Sequence, residues 1–411
     1  MAIVVQKYGG SSVADISRIR GVAERVIRAK REGLEVVVVV SAMGETTDEL
    51  MAQAHELTPV PSPRELDLLL TAGERIAMSL LAIAINAQGY GAASYTGSQA
   101  GIITDTSHGK ARIIEIRPGR IREALDRGDV VIVAGFQGVS TSFDVTTLGR
   151  GGSDTTAAAL AAALGADFCE IYTDVSGVFS ADPRIVPGAR KLHAVSYEEM
   201  LEMAATGAKV LELRSVEYAR SSGIRLHVRS SFSDEEGTWI AEEDKRMEQA
   251  VIAGVTHDES EAKVTVRDVP DRPGVVAAIF RSVAAEGVNV DMIVQNVSKD
   301  GKTDVSFTLP KADLPHARSV IERVGAEVKA GGFITDDEIA KVSLVGAGLR
   351  TQPGVAAEMF SALAEEGINV EMISTSPIRI SCVVRATDVV RATRALHARF
   401  SLGETAVLRE H

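Results

Sequence analysis

Cysteine is nearly missing from this chain: 411 residues hold two, Cys169 and Cys382, each inside an apolar strand-like run. That pattern excludes a disulfide-stapled fold and predicts two buried free thiols. Positive charge is in deficit. Lys and Arg number 44 against 56 Asp and Glu, a net charge of −12 with no basic run, which argues against nucleic acid or an anionic membrane as partner. No uninterrupted apolar run reaches transmembrane length. A strand is expected from residue 2 onward, which leaves no room for a signal peptide, so the expected location is cytoplasmic. Two familiar nucleotide motifs are also missing. Without G-x-x-x-x-G-K-[ST] the chain is no P-loop enzyme, and without G-x-G-x-x-G opening a strand–helix unit the dinucleotide reading falls. What remains is 45% hydrophobic and 24% charged, an ordinary globular composition long enough for two or three domains.

Residues 1–230 repeat one theme of strand, glycine or polar corner, and helix. Strands are expected near 3–6, 36–40, 93–95, 130–134, 168–173 and 225–228, several as continuous Val/Ile runs typical of buried parallel strands. Helices fit 15–30, 65–86, 120–126, 155–164, 197–205 and 210–221. The alternation predicts an α/β sandwich with a mainly parallel sheet, whose ligands bind at the carboxyl ends of the strands. Those ends carry KYGGSS at 7–12, SAMGETTDEL at 41–50, Asp174, and FSADPR at 179–184; LLTAGER at 69–75 lies within the long helix. The central stretch is the run GRGGSD at 149–154 between an apolar strand and an alanine-rich helix. Free backbone N–H groups and the positive end of the helix dipole meet there, and glycine permits close approach, so the corner suits an anion. Arg150 adds a planar fork for a carboxylate or phosphate, while Asp154 calls for a cation, either an ammonium group or a metal.

These motifs, with TLGRGGSDTTA at 147–157 and YTDVSGVFSADPR at 172–184, resemble the aspartate kinases across the whole chain. The resemblance implies the amino-acid-kinase fold and transfer of the ATP γ-phosphoryl group to the β-carboxylate of L-aspartate. It implies that Lys7, backed by Gly9 and Gly10, clamps the transferred group. Arg150 would grip the substrate α-carboxylate, with Glu74 and Asp154 around its ammonium, and Lys7, Arg150 and Asp154 would be the catalytic set. Ser41, Thr47, Gly151, Gly152 and Ser153 would line the substrate pocket. Thr173, Asp174, Phe179, Ser180, Asp182, Pro183, Arg184 and Lys209 would face ATP, with Ser41 shared; Mg²⁺ would arrive with the nucleotide rather than in a protein cage. The chemistry is consistent with the residues. A carboxylate nucleophile is ionised at neutral pH, with an ordinary pKa of about 3.9, so no general base is needed. His108, the histidine nearest the corners, reads as a loop residue. Two other classes stay open from the residues alone: another small-carboxylate kinase of the same fold, and a non-catalytic amino-acid sensor.

After residue 229 the pattern changes. Residues 230–249 are polar and acidic and read as a linker. Beyond them lies an internal repeat at an offset of 80, with 12 of 21 positions identical between 273–293 and 353–373. Each copy reads strand, Pro-Gly corner, amphipathic helix, Gly-x-Asn corner, strand. The copies resemble paired α+β ACT domains (βαββαβ), which bind amino acids. The expected division is a kinase domain at 1–229, a first ACT domain at 262–335, and a second made of 250–261 with 336–411. Strand 250–255 would thus pair with the second copy. An end-product amino acid, lysine or threonine or both, is expected between the copies. Its partners would be Asp271, Pro273, Gly274, Val275, Asn289, Asp291 and Gln295 of the first copy, and Val355, Ala356, Asn369, Val370, Thr375 and Ser376 of the second; Glu371 adds another acid. The resemblance further implies a homo-oligomer, or an α2β2 assembly whose smaller subunit starts near Met247; a fused homoserine dehydrogenase, known in the family, is not expected because the sequence ends directly after the second repeat.

Overall fold

The structure is a computed structural model, described here for residues 2–242, 251–296 and 300–403. The chain divides into two units. One comprises Met1–Val178, Lys191–Ala204 and Lys209–Met247; the other comprises Phe179–Arg190, Ala205–Ala208 and Glu248–His411.

The first unit carries strands β1 (Ile3–Tyr8), β2 (Glu35–Val40), β3 (Ala92–Tyr95), β4 (Ile102–Thr104), β5 (Ile113–Ile116), β6 (Val130–Ala134), β7 (Gln137–Ser140), β8 (Val145–Thr147), β9 (Phe168–Thr173), β10 (Ala194–Ser196), β11 (Leu226–Ser230) and β12 (Thr238–Ala241). Its helices are α1 (Ile16–Arg31), α2 (Thr46–Leu57), α3 (Pro63–Leu70), α4 (Ala72–Asn86), α5 (Gly119–Asp126), α6 (Gly152–Leu164), α7 (Tyr197–Ala205) and α8 (Leu213–Ser222). Eight strands form one sheet in the order β10-β12-β11-β9-β1-β2-β6-β3, parallel throughout except where β11 meets β12. The all-valine stretch of β2 lies between β1 and β6 with both faces covered, as an unbroken apolar run requires. Strand alternation then sorts β1. Val4 and Tyr8 join Val36, Val38 and Val40 in the core under α1 and α4, so Lys7 is turned to the opposite face, where α6 packs.

Three sequence expectations are corrected. The stretch 230–249, expected as a linker, contributes β12 to the main sheet, paired with β11 and β10. The helix expected over 65–86 is two helices parted at Thr71. There the threonine hydroxyl donates back to the Leu68 carbonyl (2.9 Å), and the Thr71 carbonyl accepts from the Gln137 side chain (3.3 Å). Gly73 follows against Ala42, with no room for a Cβ. The stretch Pro63–Asn86 is long and apolar enough, by length and composition, to cross a membrane, but half of its most apolar window is buried inside this unit. The segment after β6, expected as a plain glycine-rich loop, contains the hairpin β7–β8, which joins a separate four-stranded sheet β5-β4-β7-β8. Its strands, three and four residues long, are too short to show a period, and its tip turns at Phe143 in left-handed backbone (φ 66°).

The second unit repeats a smaller pattern. Strands β14 (Glu261–Pro270), β15 (Ile293–Gln295), β16 (Lys302–Pro310) and β17 (Gly332–Asp336) form an antiparallel sheet β15-β16-β14-β17 under α9 (Val275–Ala285) and α10 (Leu314–Val328). Strands β18 (Ile339–Val345), β19 (Met372–Ser376) and β20 (Arg379–Arg385) form the matching sheet under α11 (Val355–Glu365) and α12 (Val389–Arg399). The outer strand of this second sheet is β13 (Gly254–Asp258), paired antiparallel with β18 as β17 is with β14. A strand ahead of the first copy in sequence therefore completes the sheet of the second. Met247 and Ala250 lie outside the described residues.

Candidate active site

Lys7 sits one residue from the end of β1, in register with Val39 of β2 and Ile171 of β9. Its neighbours on the other face are fixed firmly. Gln6 donates to Glu170 (2.8 Å), and the Tyr8 and Tyr172 rings stack with centroids 4.7 Å apart. Held from behind in this way, the Lys7 ammonium meets the Asp154 carboxylate at 2.6 Å, both side chains being almost nine-tenths buried. Gly9 passes over it, so that a Cβ there would stand 3.4 Å from the nitrogen. Gly10 is hemmed by the carbonyls of Ala42 and Gly44, each 3.0 Å from any added Cβ, and the Gly44 N–H donates to the Gly10 carbonyl (3.1 Å). The corners after β1 and β2 are thus locked together, and Ser41 begins the second of them with its N–H on the Tyr8 carbonyl (3.1 Å). Thr47 follows in the first turn of α2.

Asp154 stands in the first turn of α6, which begins at Gly152 behind Gly151 in left-handed backbone (φ 69°). A side chain on Gly151 would collide with Glu212, whose Cβ lies 2.6 Å from the position it would take. Glu212 itself was not singled out from the sequence, because no motif links it to a loop some sixty residues earlier. Burial raises its pKa, nearby Asp154 adds to the effect, and Arg214 and Arg150 oppose it. Ser153 packs under Gly135 and is buried. Arg150 is exposed and makes no hydrogen bond or ion pair among the described residues. The most telling acid is Glu74, in the first turn of α4 and 3% exposed. Its Oε1 accepts from the Ala42 N–H (3.2 Å), while Oε2 is buried without a hydrogen-bond partner. Burial lifts its pKa to about 7, against the lowering pull of backbone N–H groups of Glu74 and Ala42. A buried carboxylate with an open oxygen suits an incoming ammonium group.

Of the residues expected to face a nucleotide, Thr173 and Asp174 lie at the end of β9, with the threonine hydroxyl donating to the aspartate (3.1 Å), and Lys209 is exposed ahead of α8. Residues 179–184 belong to the second unit. Phe179 packs on a small cluster of Ala181, Val186 and Ala189, and Asp182 accepts from the Arg184 N–H and guanidinium; Pro183 is exposed between them. Ser180 is a correction. It is fully buried, with its hydroxyl shared among His397 (3.0 Å), the Leu402 carbonyl (2.9 Å) and the Arg190 N–H (2.9 Å), and its backbone paired to Arg190 and Val255. Nothing of it is left for a nucleotide.

In the second unit, Gly274 and Gly354 precede α9 and α11 in left-handed backbone (φ 93° and 104°), with no side chain capping either helix. Val275 and Val355 are buried at these starts, Ala356 and Val370 are partly buried, and Pro273, Asn289, Gln295, Asn369 and Thr375 are exposed, with Ser376 between. The acids divide. Asp291 accepts from Lys341 (2.6 Å), and Glu371 is ion-paired with Lys263 and Arg385, so both are engaged within the fold. Asp271, exposed, holds no ion pair among the described residues.

The model of the amino acid kinase family matches residues 2–230, the span that carries the mostly parallel sheet and its glycine corners; ACT domain models match 264–326 and 342–400. An aspartokinase of Mycolicibacterium smegmatis is 59% identical over 408 residues, spanning 98% of this chain and 97% of its own. The structure of E. coli aspartokinase III in complex with aspartate and ADP (R-state) is 25% identical, covers 97% of this chain and 99% of its own, and superposes with a TM-score of 0.84. The same enzyme with lysine and aspartate (T-state) has the same identity and coverage and a TM-score of 0.72. The chain belongs to the amino acid kinase family, in its aspartokinase branch with tandem ACT domains, and is an aspartate kinase enzyme.

Proposed function

We propose that the chain transfers the γ-phosphoryl group of ATP to the β-carboxylate of L-aspartate, under feedback control by an amino acid bound in its second unit. The observation that carries this reading is the Lys7–Asp154 pair inside a glycine-walled corner; a buried Glu74 oxygen without a hydrogen-bond partner among the described residues supports it. When substrates bind, the Lys7–Asp154 pair gives way: the ammonium of aspartate takes Glu74 and Asp154, and Lys7 turns to the phosphoryl oxygens. Arg150 holds the α-carboxylate, Ser41 and Thr47 line the pocket, and the N–H groups of Gly9 and Gly10 add donors to the phosphoryl group. Thr173, Asp174 and Lys209 serve the nucleotide. The β-carboxylate, already ionised, attacks the γ-phosphorus in line, the bond to the bridging oxygen of ADP breaks, and 4-phospho-L-aspartate forms. Mg²⁺ held by the ATP phosphates neutralises their charge when bound.

For the second unit, the open helix starts at Gly274 and Gly354 suit an effector carboxylate, and unpaired Asp271 suits its ammonium. Lysine, threonine or both together fit that description. We assign residues 1–229 to catalysis, 262–335 to one ACT domain, and 250–261 with 336–411 to the other; the β13–β18 pairing supports joining 250–261 to 336–411.

The direct test is trapping with hydroxylamine, offered aspartate and then glutamate with ATP. Aspartate hydroxamate should form from aspartate, with at most a trace of product from glutamate. Equal products, or none with aspartate, would overturn the reading.

A further inference from the structure

One buried carboxylate outside the expected site joins the elements that present its two key side chains. Asp67 of α3 is 1% exposed. Its Oδ1 accepts from the Thr147 hydroxyl (2.5 Å) and the Gly109 N–H (3.0 Å), and its Oδ2 meets His108 Nδ1 (2.7 Å). Each partner sits at the root of something functional. Thr147 ends β8, three residues ahead of Arg150. Gly109 backs the same turn from the other side: a Cβ on Gly149 would lie 3.1 Å from the Gly109 carbonyl. Asp67 itself lies one turn before the break at Thr71, whose N–H donates to its carbonyl (3.2 Å), and α4 with Glu74 begins directly after. Arg214 of α8 adds a second tie, donating to the carbonyls of Leu148 (2.7 Å) and Ala111 (3.0 Å). The stem of the glycine loop is therefore pinned on both sides, while Arg150 at its tip is exposed and makes no hydrogen bond or ion pair among the described residues.

We propose that Asp67 and His108 are positioning residues for the substrate carboxylate, holding the Arg150 loop and the Glu74 helix at a fixed separation; this rests on the aspartate-binding reading above. A carboxylate facing Nδ1 requires the proton on that nitrogen, so His108 acts as an N–H donor whose ring orientation is set by Asp67. Charge and geometry make opposite forecasts here. Asp67 is a negative charge in the unit that binds an anion, so electrostatics alone would have Asp67→Asn improve aspartate binding. Positioning demands the reverse, because an amide offers one acceptor oxygen where three donors converge.

The experiment is steady-state kinetics of the full chain, varying aspartate and ATP separately, for Asp67→Asn, His108→Ala, His108→Asn and Arg150→Lys, with thermal melting of each. Asp67→Asn and His108→Ala should raise the KM for aspartate roughly tenfold or more, the scale of a lost charge-assisted hydrogen bond, and leave the KM for ATP within about twofold. His108→Asn, which keeps a donor near the Nδ1 position, should recover most of that loss. An unchanged or lowered aspartate KM, equal effects on both substrates, or no recovery by asparagine would overturn the proposal. Should Asp67→Asn fold poorly, the His108 pair alone decides. Arg150→Lys separates the two levels: if it leaves the aspartate KM untouched, the substrate assignment of the loop has failed, whereas a raised KM there with unaffected His108 variants fails the positioning claim only.

Discussion

Two buried lysines, one in each unit, differ in the carboxylates that hold them, and the proposed roles differ with them. Lys7 has one carboxylate, Asp154, and glycine on its other side. Lys341 has two, Glu261 and Asp291, with its side chain 1% exposed. Burial works to lower the Lys341 pKa, but those two carboxylates outweigh it and hold the group charged. The repeat explains the arrangement. Glu261 and Lys341 occupy equivalent positions eighty residues apart, as do Asp291 and Glu371, so the two copies meet with opposite charges at one equivalent pair. Lys341 is therefore held from two sides and joins the copies, whereas Lys7 is ion-paired with Asp154 alone among the described residues.

The sharpest way to break this comparison is to neutralise each lysine. Lys341→Met leaves two acids without their cation and should cost about 3–5 kcal/mol of stability in the second unit, read as a lowered melting transition. Turnover per folded molecule should hold near the unmodified value when effector is absent. Lys7→Ala should do the opposite, lowering kcat roughly a hundredfold or more while melting is nearly unchanged. If the two variants exchanged phenotypes, the distinction between the lysines would be wrong.

The acids sharpen the contrast further. Asp271 holds no ion pair among the described residues where Asp291 is taken by Lys341, so Asp271→Ala should relieve inhibition by lysine, threonine or the pair, on the scale of about 5–150-fold in effector concentration. Uninhibited turnover should stay the same, and inhibition curves with and without the substitution decide it. The smallest effect concerns Glu74, whose pKa of about 7 stands above the ordinary value because of burial. The folded chain binds this proton more tightly than the unfolded one. Its contribution to stability is therefore full below about pH 4.5 and declines as pH rises through about 7. Binding an ammonium group favours the ionised form, so the KM for aspartate should fall as pH rises through 7, by less than about tenfold per pH unit. Glu74→Gln should flatten that slope, as aspartate titrations across pH 6–8 would reveal.

The parts legible in sequence were those carried by continuous pattern. The valine run of β2, the glycine corners at 9–10 and 149–152, and the 80-residue repeat each show in the sequence as written, and the structure places β2 and Gly9 beside Lys7. What stayed hidden depends on tertiary approach. Asp67 belongs to no motif and lies eighty residues from Thr147, which opens the run at 147–157, and His108 reads as a loop residue because nothing nearby in sequence shows its carboxylate. Ser180 was misjudged for the same reason: it lies in a motif, but its hydroxyl is consumed by His397, over two hundred residues away. The hairpin β7–β8 escaped because its strands are too short for a period to register. One signal was available and unused. Aligning the copies puts Glu261 opposite Lys341, a charge reversal in an otherwise similar repeat, and that marks a contact between them.

The central claim is that the β-carboxylate of aspartate itself attacks phosphorus at the Lys7 corner. Aspartate labelled with ¹⁸O in that carboxylate, reacted with ATP and then cleaved by hydroxylamine at the acyl carbon, tests it most directly. The account predicts that the phosphate released carries one labelled oxygen, the former bridge between carbon and phosphorus. Phosphate free of label would mean that a different nucleophile received the phosphoryl group, and would contradict the account.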